Sequence, residues 1–207
     1  MSKQWLSAVG MFSLLVGLCV AGRLLPHWPN FTPVAAVALF AGYWYRRRAV
    51  ALAVPLVALL LSDAIIGLYD VRTMVVVYAA LAMGVYLRPL LGGRRLILRA
   101  AGCSVLCSLA FFLATNGAVW MFGSMYPHTA GGLAACYLAG LPFFKYTLYG
   151  NAVWTGVLFG TYAAATQRTS ATAWRSRPVG TEKQCSGSHA SPRPRARRRY
   201  SKPSRSA

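Results

Sequence analysis

Apolar residues run through this chain in long blocks, separated by short stretches where arginine, proline and glycine collect. Blocks of near-bilayer length with few charges predict membrane-spanning helices, because a span needs about 20 mostly apolar residues. They fall at Trp5–Gly22, Thr32–Tyr45, Ala49–Gly67, Thr73–Leu87, Leu96–Phe122 and Thr147–Ala165. The second and fourth are short for a full span, so they are expected to extend, tilt or thin the bilayer locally. A further apolar piece, Gly131–Phe144, is shorter and marked by Gly and Pro; it reads as a re-entrant or interfacial segment. The predicted fold is all-α, a polytopic bundle of about six transmembrane helices over residues 1–166, given the length each span requires.

Composition sharpens this picture. Of the 207 residues 57% are hydrophobic and only 12% charged, well under the usual share for a soluble domain. A net charge of +19 suggests a nucleic-acid binder until its placement is considered. Up to Thr166 the basic residues cluster in alternate connections: Arg46–Arg48 in the second, Arg88, Arg94, Arg95 and Arg99 in the fourth. The other connections hold only Arg23, then Asp70 with Arg72, then Lys145. That alternation predicts a multi-pass membrane protein with both termini cytoplasmic. Trp5–Gly22 has the basic flank and apolar core of a signal peptide, yet no A-x-A site precedes Arg23, and Leu18 before Cys19 makes no lipobox. It is read as a retained helix.

From Gln167 the chain changes character, becoming rich in Ser, Pro and Arg with few aliphatic residues. Residues 167–207 are expected to be a disordered cytoplasmic tail. Its RPRARRRYSK core would be drawn to anionic lipid of the inner leaflet in preference to nucleic acid.

Chemistry-bearing motifs are scarce. The chain has no G-x-S-x-G, P-loop or H-E-x-x-H sequence, so neither an enzyme motif nor a cofactor is predicted, and nothing points to ATP hydrolysis by this chain. Cys103 and Cys107 share a helix face, but two thiols make a poor metal site, and the five cysteines read as packing. Small residues recur four apart at Ser13–Gly17–Ala21, Ala38–Gly42 and Gly156–Gly160–Ala164, suiting close helix contact, within the bundle or with a partner.

What remains polar gathers on the outer side of the predicted topology. Asp63, Asn116 and Asn151 sit toward the outer ends of their helices, and intramembrane polar groups of this kind face a bundle interior or a cavity. Above them runs RLLPHWPNFTPV, Arg23–Val34, stiffened by three prolines and expected to lie over the mouth of the bundle as a lid. The candidate ligand-binding set is therefore Arg23, His27, Trp28, Asn30, Phe31, Asp63, Asn116, Trp120, Tyr126, Lys145 and Asn151. Two plainer readings stand beside it. The aromatics suit interfacial anchors in any polytopic protein, and Asp63 can pair with Arg23 or Lys145 to hold helices together. His27 and His128 with Asp63 lack diagnostic metal-site spacing.

Four phrases carry a resemblance: RLLPHWPNFTPVAAVALFAG, VPLVALLLSDAIIGLYD, FFLATNGAVWM and YPHTAGGLAACYLAGLPFFKYTLYGN. Over about Arg23–Gly160 the chain resembles an uncharacterised family of small bacterial membrane proteins described as transport proteins. That family is in turn similar to the substrate-binding S components of energy-coupling factor transporters. The resemblance implies a six-helix bundle of the bacterial inner membrane whose outward pocket, capped by the first outer loop, takes up a vitamin-like molecule or ion. A separate scaffold and paired ATPase subunits would then drive release. The alternatives are an intramembrane enzyme acting on a lipid or exported substrate, with Asp63 and a histidine as acid and base, or a non-transporting membrane assembly protein.

Overall fold

Every regular element is helical in the computed structural model, which describes residues 3–26, 28–93 and 95–175. Six α-helices follow in order: α1 Lys3–Leu24, α2 Val34–Trp44, α3 Arg48–Ile66, α4 Val71–Ala82, α5 Leu96–Phe122 and α6 Ala130–Arg175. Helix α4 continues through the 3₁₀ turns Met83–Leu90. Four stretches are long and apolar enough to cross a membrane: Leu6–Leu24, Arg48–Ile66, Val71–Leu90 and Leu96–Phe122. By length and composition these helices mark a membrane protein, and α2 is a shorter apolar helix among them.

Local chemistry sets most boundaries. Pro26 disfavours helical backbone at the residue before it, so α1 stops at Leu24. Pro33, with its fixed φ, stands at the start of α2. Gly67 ends α3 at φ 119°, a conformation open to glycine alone at little cost. The Asp70 carboxylate opens α4 by accepting from the Thr73 backbone N–H and hydroxyl, each at 2.9 Å.

The largest departure from expectation is α6. Gly131–Phe144 is not a separate piece before Thr147–Ala165; both belong to one helix of 46 residues that runs through Pro142. A proline deletes a single intrahelical bond, a loss the side-chain ties of this piece to α5 offset. The Tyr137 hydroxyl donates to Leu113 O at 2.8 Å, and Cys136 Sγ donates to Asn116 O at 3.4 Å. Ala134, Ala135, Leu138 and Leu141 are also good helix formers. The helix continues over residues 167–175, the beginning of the expected tail; the remainder, 176–207, lies outside the described residues.

Residues Met1–Thr169 form one compact unit, and from Ser170 a second unit begins, helical over its described part to Arg175. The centre of the first unit is α2, whose residues Val34–Gly42 are all buried. Two glycines let its backbone meet the 3₁₀ turns: a Cβ on Gly42 would lie 2.6 Å from Val85 O, and one on Gly84 would lie 2.9 Å from Leu39 N. Phe40 packs edge-on against Phe159 of α6 at 5.3 Å. Leu15, Cys19, Val54 and Leu59 close the core from α1 and α3. In lipid such packing rests on dispersion and close fit, since the solvent is as apolar as the side chains. Of the three small-residue stripes, only Ala38–Gly42 packs inside the bundle; Cβ positions on Gly17, Gly156 and Gly160 would meet nothing within 4 Å.

Candidate functional site

One end of the bundle gathers the ends of α1, α3 and α5, the start of α4 and the middle of α6, and its polar centre is an ion pair. The last turn of α1 presents Arg23, and the last turn of α3 presents Asp63, only 1% exposed. Arg23 Nη2 donates to Asp63 Oδ1 at 2.5 Å, while the Tyr78 hydroxyl from α4 donates to Oδ2 at 2.7 Å. A lone carboxylate at this depth would be costly, and the guanidinium neutralises it. The pairing leaves something over. Arg23 Nη1 is buried and has no hydrogen-bond partner among the described residues.

Arg23 also lines a chamber of about 120 Å³ together with Asn30, Thr32, Phe111, Thr147 and Asn151. A neighbouring chamber of about 300 Å³ adds Thr73, Thr115, Asn116, Phe112 and Phe144. Asn30, Val77, Phe111 and Thr147 border both chambers, so the two adjoin. Asn151 Nδ2 donates to Ser108 Oγ at 2.8 Å, and Asn116 Nδ2 donates to Phe112 O at 2.8 Å, which fixes both amides. Gly140 leaves room for Asn116: a Cβ there would lie 2.4 Å from Oδ1.

The proline-rich loop forms part of the wall. Asn30 adopts φ 61°, a left-handed conformation that asparagine tolerates, and so reaches both chambers. Trp28 meets Phe31 and Tyr146 with ring centroids 5.9 Å apart in each case, and Phe31 lies against Gly150. The loop is thereby held on α6 beside the cavity, as a lid requires.

Comparison with known proteins adds a family. Residues 3–174 match the family model described as "Family of unknown function (DUF6580)". The chain belongs to DUF6580. No curated protein matches it, and no solved structure does.

In this DUF6580 chain the residues singled out by sequence divide into three groups. Arg23, Asn30, Asn116 and Asn151 line the two chambers, Asp63 lies behind Arg23, and Trp28 with Phe31 holds the proline-rich loop against α6. Trp120, Tyr126 and Lys145 border neither chamber. Trp120 Nε1 donates to Pro127 O at 3.1 Å with His128 edge-on against its ring, and Lys145 Nζ sits 4.9 Å over Tyr146, so Asp63 pairs with Arg23 and not with Lys145. His27 lies outside the described residues. Tyr78, Thr147 and the Phe111–Phe112 pair were missed. Tyr78 and Thr147 stand within apolar runs, where a hydroxyl or a phenol reads as ordinary helix packing until the partner helix is known.

Proposed function

We propose that this DUF6580 protein captures a small solute in the paired chambers, reaching it from the side of the membrane opposite its arginine-rich loops. One observation carries the reading: Arg23 Nη1, a buried charged donor without a protein partner, at a cavity whose other polar groups are Asn30, Thr147 and Asn151. An unsatisfied buried donor is unfavourable by about 1–3 kcal/mol and by more when charged, so a ligand oxygen or nitrogen placed there would accept from it and recover that cost. Its phenylalanines accept the apolar part of a vitamin-like molecule, and the asparagines orient its polar edge. The protein is a binding component and not an enzyme. Transport in this reading depends on separate scaffold and ATPase subunits, as in the S components that the sequence resembles.

The test is mass spectrometry of small molecules extracted from detergent-purified protein, wild type beside Asn116→Ala and Asp63→Asn. We expect one compound near one per chain in the wild type and its loss from Asn116→Ala at unchanged elution volume. A compound retained at full occupancy in both variants would remove this cavity from the account.

A further inference from the structure

A second cavity lies on the other half of the bundle. It is a groove of about 470 Å³ with Met11, Leu14 and Leu18 on its α1 wall, Leu158 and Tyr162 on its α6 wall, and Phe40 and Trp44 of α2 as its floor. Its few hydroxyls are committed elsewhere: Thr161 donates to Val157 O at 2.7 Å and to Leu158 O at 3.0 Å, and Thr166 donates to Tyr162 O at 3.1 Å. The groove therefore suits an apolar occupant. From Met11 to Leu18 it runs about 10 Å along α1, within the depth of a single leaflet at about 15 Å.

The mouth of the groove is basic. Tyr45, directly after Trp44, donates its hydroxyl to Ala8 O at 2.9 Å, which sets the end of α2 one helical turn from Met11. Arg46, Arg47 and Arg48 follow and are exposed, and Arg88 joins the same corner by donating to Tyr45 O at 2.7 Å. Among the described residues no carboxylate answers them. Asp63 and Asp70 belong to the opposite end of α3 and the loop beyond it, and the ion pair found among the described residues is Arg23–Asp63. An apolar slot of one-leaflet depth opening beside uncompensated arginines matches a molecule with an acyl chain and a negative head.

We propose that the α1–α2–α6 groove is a binding site for one anionic phospholipid, its acyl chain between Leu14 and Tyr162 and its phosphate at Arg46, Arg47 and Arg88. The site stands apart from the solute cavity, and neither depends on the other. The experiment places the full chain in nanodiscs of equimolar phosphatidylglycerol and phosphatidylcholine and reads retained lipid by native mass spectrometry. One phosphatidylglycerol per chain is expected, enriched over phosphatidylcholine by roughly tenfold or more, from about fivefold per basic residue near the phosphate. R46Q/R47Q, which leaves Arg88, should lower the enrichment to about fivefold or less while still retaining one lipid of either kind. Thr161→Trp, which fills the groove, should lose the bound lipid, whereas Thr161→Val should keep it; Leu14→Trp on the opposite wall repeats the test if the first variant folds poorly. Equal retention of the two lipids by the wild type overturns the proposal. So does an undiminished phosphatidylglycerol count in both groove-filling variants, which would assign the lipid to the basic tail. A stoichiometric membrane protein in place of the lipid overturns it as well.

Discussion

The two halves of this bundle solve opposite problems with the same kind of helix. Where α1, α3 and α5 end, a carboxylate, a guanidinium and three asparagines are brought inward, and the carboxylate, Asn116 and Asn151 are held by named partners. Where α2 ends, the interior is apolar to its edge and the arginines stay outside, with no carboxylate among the described residues to meet them. Polar groups within a bilayer are tolerated only when they are paired or face a cavity. The first half therefore depends on particular partners, and the second on fit alone.

The strongest way to break this contrast is at the ion pair. Asp63→Leu should destabilise the detergent-solubilised protein by about 3–5 kcal/mol in thermal unfolding, because it strands a buried guanidinium. Adding Arg23→Met should recover most of that loss, since a buried pair replaced by apolar residues of similar volume is close to neutral. A single variant as stable as the wild type would mean the pair holds nothing.

A smaller effect separates glycines that look alike in sequence. Gly42→Ala should cost about 1–3 kcal/mol, because its Cβ meets the Val85 backbone, which cannot swing aside as a side chain would. Gly156→Ala, with nothing within 4 Å of the new atom, should be neutral or stabilise by up to about 1 kcal/mol through helix propensity. Melting temperatures in the reverse order would contradict the packing around α2.

The smallest effect is at the cap of α4. The Thr73 backbone N–H and hydroxyl hold the Asp70 carboxyl below its ordinary value of 3.8. A folded-state pKa below the unfolded one means that Asp70 contributes stability in full above that ordinary value and loses it as pH falls through the lower one. The melting-temperature gap between wild type and Asp70→Asn should thus close on acidification below about pH 4. A gap independent of pH would show that the cap acts without its charge.

Much of the frame was legible because membrane insertion writes a coarse signal. Leu96–Phe122 was bounded to the residue, and Ala49–Gly67 differs from α3 by one position at each end. Asn116 and Asn151, which line the cavity, and Asp63 behind it were found by one rule, that polar groups inside apolar runs need a reason to be there, while Arg23 and Asn30 came from the proline-rich loop. The same rule passed over Tyr78, whose phenol looks apolar until Asp63 is seen 2.7 Å away. It selected Trp120, Tyr126 and Lys145 for being on the same side, a criterion too loose to place a side chain at a wall.

By itself the sequence determined that the described chain is helical, the ends of most helices up to Phe122 and the place of the arginine-rich connections, because hydropathy, proline, glycine and caps act over a turn or two of chain. Tertiary structure alone decided that α6 continues through Pro142, that Asp63 takes Arg23 and not Lys145, and which glycine stripe is buried. Each of those outcomes depends on what a distant helix offers within a few ångströms: a carbonyl for Tyr137, a guanidinium for Asp63, a backbone for Gly42. Local sequence carries no record of such neighbours.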